Sequence, residues 1–167
     1  MFYNIIAKLD HVFDFEEVSA HCDIPCKIYD PISAQIAVLT MIRMVDLLLE
    51  YSTVSDLSLN QQATINRLVT EKENHGSLVK HEIRVIWGDY FKEPQLSAYP
   101  ELHELSHEIM LLASSAKQHV DRTTTLKLLD RVNHFTEIFW KTKGVETYTA
   151  TCPYPPAEVL VYPKLIP

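Results

Sequence analysis

The sequence predicts an all-α protein: an up-and-down four-helix bundle with an N-terminal metal-binding hook and an extended Pro-rich C-terminal tail. Three observations predict this class. Four long segments repeat apolar residues at three- and four-residue steps, which is the period of an α-helix. The loops between these segments are short, which favours antiparallel neighbours. The 167 residues include only three glycines and are 47% hydrophobic, enough for one domain with a sizeable core.

The hook occupies residues 21–30, where an imidazole, two thiols and a proline come together. If the peptide bond before His21 is cut, the new amine and the amide nitrogen and sulfur of Cys22 can form two fused five-membered chelate rings. Cys26 can then close the fourth side. Two nitrogens and two thiolates suit a square-planar ion such as Ni(II). The His21 imidazole can reach the same ion axially.

Two further residues shape this hook. Pro25 fixes φ and tightens the turn, and Asp23 can bond nearby backbone amides. The donor set alone leaves other interpretations of Cys22 and Cys26 open, namely a redox-sensitive pair or a small zinc site. Three cysteines do not make a disulfide framework, and we expect Cys152 to be a free thiol.

Residues 1–20 do not resemble a secretory leader. Their short apolar stretch, 2–7, is followed by acidic residues instead of being preceded by basic ones. We therefore expect a leader that a processing protease removes to release the amine of His21, although the small residues at 18–20 are a weak signal for the cut.

The first helix is predicted from Asp30, as N-cap, and Pro31, as first helical residue, to about residue 51. Its apolar face is so broad that we expect burial between subunits as well as within one. The predicted apolar stripe of this helix contains Ile32, Ile36, Leu39, Val45 and Leu49.

Three more helices follow, at about 58–87, 100–118 and 121–143, which with the first make a bundle over residues 31–144. Gly76 is a local weakness of the second helix, and residues 87–91 form an aromatic corner after it. Gly144 ends the fourth helix. Their predicted core residues are Ile65, Leu68, Val69, Leu78, Val79, Ile83, Ile86, Leu102, Leu105, Ile109, Leu112, Ala116, Leu128, Leu129, Val132, Phe135 and Phe139.

The tail, residues 145–167, is rich in proline, so no helix continues there. We expect it to be an extended strap over a neighbouring subunit, or disordered. The net charge of −7 argues against a nucleic-acid partner. We find no apolar run of the length that a membrane span requires, so we expect no membrane partner.

One motif competes with the hook. His103, Glu104 and His107 fit the H-E-x-x-H pattern of zinc metalloproteases, in which both imidazoles bind zinc and the glutamate is the base. At 100° per residue, both histidines point about 150° away from the apolar direction of their helix. A solvated or interface histidine pair is therefore favoured, and a zinc metalloprotease is a remote alternative.

Four motifs occur in a fixed order: H-C-D-I-P-C-K-I-Y-D-P from residue 21, W-G-D-Y-F-K at 87–92, Y-P-E-L-H at 99–103 and F-W-K-T-K at 139–143. Together they resemble the nickel-containing superoxide dismutases.

This resemblance implies that a nickel ion, cycling between Ni(II) and Ni(III), converts two superoxide anions and two protons to dioxygen and hydrogen peroxide. It implies His21, Cys22 and Cys26 as ligands, and a homohexamer with the hooks near subunit contacts. We expect such an antioxidant enzyme to be cytoplasmic. A non-enzymatic nickel or zinc binding or sensing protein is the main alternative.

The resemblance also implies roles around the metal. Tyr29 and Tyr90 match tyrosines whose hydroxyls could position superoxide, peroxide or water. Ordinary packing of the rings, with the phenol hydroxyls in contact with water, is an equal alternative. Asp89 would hydrogen-bond near them. Lys27 and Lys92 are the candidate cations for attracting the anion. Lys92 matches the family pattern, whereas Lys27 stands where the family usually has glycine.

Two further departures concern the axial imidazole. The family pattern places a glutamate and an arginine in support of it, the arginine from another subunit. Ala37 and His75 occupy the corresponding positions here. We hypothesise that His75 bonds the imidazole directly, and we expect slower or differently tuned dismutation.

Overall fold

The computed structural model describes residues 27–165, which form four long helices and a small C-terminal hairpin. The predictions for residues 1–26, including the leader and most of the hook, lie outside these described residues. The elements are α1 Ile32–Leu49, α2 Leu59–Val85, a π turn Ile86–Tyr90, α3 Glu93–Ala98, α4 Leu102–Gln118, α5 Arg122–Thr142, β1 Thr147–Thr151 and β2 Val159–Pro163.

Side-chain caps explain where three of the long helices begin. The Asp30 carboxylate accepts a hydrogen bond from the Ile32 amide at 2.9 Å, and α1 begins at Ile32 with Pro31 as its N-cap, one residue later than predicted. Ser58 and Gln61 form a reciprocal capping box before α2. Asp121 accepts from two amides in the first turn of α5. These caps satisfy amides that a helix cannot pair internally.

The long helices form a ring around one core, because α1 and α4 each contact both α2 and α5. Most of the predicted apolar stripe faces this core. Two predicted members of the α1 stripe do not, since Ile36 is 46% exposed and Leu49 is 42% exposed. The broad face of α1 extends past the area that α2 and α5 cover. The fully buried large side chains include Met41, Ile42, Ile83, Ile109, Leu128, Phe135 and Phe139.

The core helix α1 also corrects an expectation about apolar length. Its 18 residues have a mean hydropathy of 1.8, so by length and composition alone it passes the test for a membrane span. Half of this segment is buried inside the bundle. Packing in the core accounts for its apolar character.

Gly76 marks a close approach of helices. A Cβ atom at this position would meet the side-chain stem of Lys117 on α4, and it would lie 3.0 Å from the terminal methyl of Met41 on α1. Gly76 lowers the helical propensity of α2, and its lack of a side chain lets α4 pack closely against α2.

The tail is not the extended strap or disordered segment that its prolines suggested. After Gly144, which has φ 71°, β1 and β2 form an antiparallel hairpin. Leu160 and Val161 of β2 are buried, and so is Cys152, which directly follows β1. The strands are rich in β-branched and aromatic residues, which favour this structure. The prolines fall in the connection and at the strand end, where they interrupt no ladder hydrogen bond.

Amide side chains of two helices attach β2 to the helices. The Nε2 of Gln35, a buried residue of α1, donates to the Val161 carbonyl at 3.0 Å and to Asn133 Oδ1 at 2.8 Å. Asn133 of α5 donates to the Val159 carbonyl at 2.9 Å and accepts from the Val161 amide at 3.3 Å. The outer edge of β2 is thus paired by side chains of two helices.

Arg122 adds an ionic attachment. Its Nε donates to Asp46 of α1 at 2.8 Å, and an Nη donates to Glu158 of the hairpin at 2.5 Å. These bonds raise the pKa of Arg122 above its ordinary value. One guanidinium at the start of α5 therefore connects α1 to the hairpin.

Candidate metal centre

A pair of tyrosines packs the start of the described chain against the turn that follows α2. Tyr29 lies two residues after Lys27, and its ring packs against that of Tyr90 with centroids 5.6 Å apart. Tyr90 is the last residue of the π turn that follows α2. The fold therefore brings the start of the described chain next to the W-G-D-Y-F-K motif.

The π turn explains how Tyr90 is placed. The Phe91 amide bonds the Ile86 carbonyl at 3.2 Å, five residues back, so one extra residue widens the last turn. Ile86 and Phe91 are buried, whereas Asp89 is exposed and Tyr90 is half-buried. The aromatic corner predicted here is therefore a helical turn that directs one tyrosine toward the hook side of the core.

Tyr90 has aromatic and polar support from α5. Its ring lies 4.8 Å from that of Phe139, centroid to centroid. Its hydroxyl lies 2.8 Å from Thr142 Oγ1, which itself donates to the Phe139 carbonyl at 2.6 Å. Because the Thr142 proton is used in that bond, the Tyr90 hydroxyl is the donor to Thr142. Its oxygen lone pairs remain able to accept a hydrogen bond.

A cation that the sequence analysis did not single out lies on this tyrosine. The Nζ of Lys143 is 4.4 Å from the centroid of the Tyr90 ring and 5.5 Å from that of Phe139. This distance is within the range of a cation–π contact. Lys143 is the last residue of the F-W-K-T-K motif, so the motif already included this cation. The helical spacing of Lys143 did not indicate which aromatic ring its ammonium would contact.

The two predicted steering lysines have different environments. Lys27 is exposed and has φ 58°, a left-handed conformation that glycine adopts without steric cost. This conformation gives a physical reason for glycine at that position in the family pattern. Lys92 is exposed, and its Nζ donates to the Gly88 carbonyl at 3.0 Å within its own turn.

Asp89, Ala37 and His75 have different environments. Asp89 is exposed, and Tyr90 bonds Thr142. Ala37 is fully buried in the core. His75 Nδ1 lies 2.8 Å from the Glu71 carbonyl of its own helix. It precedes Tyr90 by about four turns, or roughly 22 Å of helix. His75 is therefore far along α2 from the tyrosine pair, and its bond to the imidazole stays a prediction.

The H-E-x-x-H residues lie on the polar face, as predicted, since His103, Glu104 and His107 are all exposed. Trp87 Nε1 donates to His103 Nδ1 at 3.1 Å, and the two rings meet edge to face. Between residues 27 and 165, no three His, Cys, Asp or Glu side chains come together as metal ligands. The zinc metalloprotease interpretation therefore gains no support.

Cys152 is a free thiol, as predicted, but it is buried in the hairpin. Its Sγ donates to the Tyr154 carbonyl at 3.2 Å. Tyr162 lies in the same cluster, and burial, followed by the nearby Tyr154 and Cys152, raises the pKa of its phenol.

The proposed ligands His21, Cys22 and Cys26, and the hook-shaping residues Asp23 and Pro25, lie outside the described residues. The donor types fit nickel chemically, because thiolates select soft or borderline ions and imidazole is a ligand for nickel. Cys26 directly precedes Lys27, so this donor set is continuous with the chain that leads to the tyrosine pair.

Comparisons with known proteins agree with these motifs. The sequence profile of the nickel-containing superoxide dismutases matches residues 16–143. A superoxide dismutase [Ni] of Streptomyces seoulensis is 39% identical over 127 residues, covering 76% of this chain and 91% of that protein. The Streptomyces coelicolor enzyme of the same name is 37% identical over 126 residues, covering 75% of this chain and 90% of that protein.

Solved structures show the same similarity in the fold. A native nickel superoxide dismutase structure at 1.30 Å aligns with a TM-score of 0.65 and 35% identity. The alignment covers 74% of this chain and 99% of that one. A second, in a state after partial X-ray-induced reduction, gives a TM-score of 0.64 and 37% identity over the same shares. The hairpin lies beyond the residues that the family profile matches.

Proposed function

The chain belongs to the nickel-containing superoxide dismutase family, and from this premise we propose which of its residues carry the reaction. Its activity is the dismutation of superoxide to dioxygen and hydrogen peroxide, with nickel as the cofactor. We propose that His21, Cys22 and Cys26 hold the nickel once residues 1–20 are removed. The family profile matches continuously from residue 16 through the hook, which supports this assignment.

The observation that carries the proposal is the packing of Tyr29 on Tyr90 at the base of the hook. Bound nickel supplies the one-electron redox step. The protein must then position a small anion and deliver two protons in each full cycle. The Tyr90 hydroxyl donates to Thr142, which fixes its orientation, and its free lone pairs can accept from water or peroxide. Tyr29 and Tyr90 thus orient water and peroxide beside the metal.

The anion must approach a protein whose net charge is −7. Local cations therefore decide its path. Lys27 directly follows Cys26 and is exposed, and the Lys143 ammonium lies over the Tyr90 ring. Lys92 is a weaker candidate, because its ammonium already bonds the Gly88 carbonyl. We propose Lys27 and Lys143 as the local positive charges at the entrance.

We also propose the finer arrangement of the protein. The ring of contacts among the four long helices supports an up-and-down bundle. The exposed Ile36 and Leu49 support subunit contacts on α1, with the homohexamer of the family resemblance as the proposed assembly. The acidic start of the chain supports a cytoplasmic protein whose leader a protease removes, rather than a secretory signal.

The test compares nickel-loaded protein beginning at His21 with nickel-loaded protein that retains residues 1–20. We expect superoxide consumption and an axial-nitrogen Ni(III) electron paramagnetic resonance signal only in the trimmed form, because only that form has the free amine. Equal activity in both forms would refute the role of processing. Nickel bound in the trimmed form without turnover would instead favour a metal-binding protein.

A second experiment tests the tyrosine pair. Tyr90→Phe keeps the ring packing but removes the hydroxyl that bonds Thr142, and Tyr148→Phe on the exposed hairpin is the matched control. We expect kcat to fall in Tyr90→Phe while nickel content stays the same, since a general acid–base or positioning group contributes about 10²-fold or more. Unchanged kcat would show that Tyr90 only packs.

A further inference from the structure

We propose that the outer edge of β1 is a pairing surface for the same strand of a second copy of this chain. The two copies would form a continuous four-stranded antiparallel sheet centred on Thr149. This surface lies in the hairpin, outside the part of the chain that the family profile matches.

The hydrogen-bond register leaves this edge of β1 unpaired. Backbone bonds join residue 146 to 164 and residue 152 to 158, so these are hydrogen-bonded pairs of the antiparallel ladder. Hydrogen-bonded and non-hydrogen-bonded pairs alternate along such a ladder. Tyr148 and Ala150 therefore form the other hydrogen-bonded pairs, with Tyr162 and Leu160 of β2. The amides and carbonyls of Thr147, Thr149 and Thr151 therefore point away from β2. Within residues 27–165, these groups take part in no protein hydrogen bond.

The two edges of the hairpin differ in this respect. The edge of β2 is paired by the side chains of Gln35 and Asn133, which bond the backbone of Val159 and Val161. Proteins commonly protect an exposed strand edge with charge, proline or a bulge. β1 reads Thr-Tyr-Thr-Ala-Thr and contains none of these.

Space beside the strand permits pairing. Thr149 and Thr151 are exposed. Thr147 borders an open groove of about 520 Å³. The outward row of backbone groups is therefore accessible to another extended chain.

The sequence of β1 is complementary to itself. In an antiparallel pair with a two-fold axis at Thr149, Thr147 of one copy faces Thr151 of the other, and Thr149 faces its own equivalent. The outward threonines then form hydrogen-bonded pairs, which exchange two bonds each, so about six backbone bonds form. Tyr148 faces Ala150 of the other copy, which puts a large ring opposite a small side chain. The absence of charge in β1 leaves no like-charge repulsion across the axis.

Isologous pairing of this kind is the common route to symmetric assemblies. Its short edge would bury less than the roughly 1,200 Å² of a standard stable interface, so we expect a weak, concentration-dependent contact.

Amide hydrogen exchange of the full chain, measured at low and high protein concentration, tests this pairing directly. We expect the amides of Thr147, Thr149 and Thr151 to slow about tenfold or more at high concentration, because a paired amide exchanges only after opening. The amides of Tyr148 and Ala150, already bonded to β2, are the internal control.

Two lysine variants separate pairing through this axis from other association. Thr149→Lys puts two ammonium groups directly opposite each other and should abolish the concentration-dependent protection. Thr151→Lys adds the same charge to the same edge but places it opposite Thr147, so protection should persist. Fast exchange of the outward amides at every concentration would overturn the proposal.

Two further outcomes would also overturn it, by identifying another occupant or another surface. Concentration-independent protection that disappears when residues 1–20 are removed would identify the leader as the paired strand. Equal loss of protection in both lysine variants would show that the copies do not meet at Thr149. Because exchange is followed without nickel or superoxide, failure of this proposal is distinguishable from failure of the proposed enzyme site.

Discussion

Replacing Lys72 by methionine should destabilise the fold through the end of a neighbouring helix. Lys72 of α2 is only 2% exposed, yet its ammonium has three carbonyl partners. Its Nζ donates to the carbonyls of Ala116 at 2.8 Å and His119 at 3.1 Å, and also to that of Lys117. These carbonyls belong to the C-terminal end of α4, where a helix leaves acceptors unpaired and concentrates negative potential.

The magnitude follows from how many of these acceptors water can reach. A hydrogen bond to a charged group contributes about 1.5–3 kcal/mol. The bond to Ala116 is buried, whereas those to Lys117 and His119 lie at a partly exposed edge where water can replace the ammonium. Removing the charge also recovers a desolvation cost, since burial lowers the pKa of Lys72 from its ordinary value. We expect Lys72→Met to lose about 2–3 kcal/mol of unfolding free energy.

Denaturant unfolding of the metal-free protein, followed by circular dichroism at one protomer concentration, measures this loss. Lys127→Met is the matched control, because Lys127 is exposed on α5, and it should change stability by no more than about 0.5 kcal/mol. The pH dependence adds a second check. A folded pKa below the ordinary 10.5 means that the unfolded chain binds more protons in that window, so wild-type stability gains from this group as pH rises toward 10.5.

The difference between wild type and Lys72→Met should therefore grow with pH over that window. A Lys72→Met protein as stable as wild type, or more stable, would refute the reasoning. It would show that the cost of burying the ammonium outweighs its three bonds.

Three other changes have definite expected outcomes. Lys27→Gly relieves a left-handed residue, which costs roughly 1–2 kcal/mol, and should tighten nickel binding in a competition assay; unchanged or weaker binding would argue against strain at this position. Gly76→Ala should lower unfolding free energy by about 1–3 kcal/mol, because the new methyl meets the Lys117 stem; a more stable variant would contradict the close approach. Asp121→Asn should flatten the acid limb of a stability–pH curve. The side-chain hydrogen bond from Thr124 lowers the pKa of Asp121. Asp121 therefore adds to the free energy of unfolding above its ordinary pKa of 3.8, and this addition is lost as pH falls. An unaltered acid limb in Asp121→Asn would contradict this prediction.

The helices could be predicted because their signals are local. Apolar period and capping residues act within a few positions, so the predicted starts at about residues 31, 58 and 121 lie within one residue of the observed starts of α1, α2 and α5. The exposure of Ile36 and Leu49 could not be predicted in the same way. It depends on how much of α1 the neighbouring helices cover, and periodicity contains no such information.

The hairpin and the tyrosine site show the same limit. The prolines of the tail concealed two short strands, because their pairing depends on turn geometry and on helix side chains such as Asn133. Motif order indicated Tyr29 and Tyr90, but not Thr142, whose hydroxyl meets Tyr90 only after the π turn adds a residue. Lys143 was within a quoted motif, and only packing showed which ring it contacts.

The attachment of β2 has a consequence for the order of folding. The bond from Gln35 to the Val161 carbonyl joins residues 126 positions apart, so it closes nearly the whole described chain into one loop. Such a distant contact is costly in loop entropy and forms only after α1 and α5 are already side by side. The hairpin should therefore be the last unit to dock during folding and the first to detach during partial unfolding. Its release would separate β2 from α1 while the four helices still hold together, so a probe on β2 would report completed folding better than one among the helices.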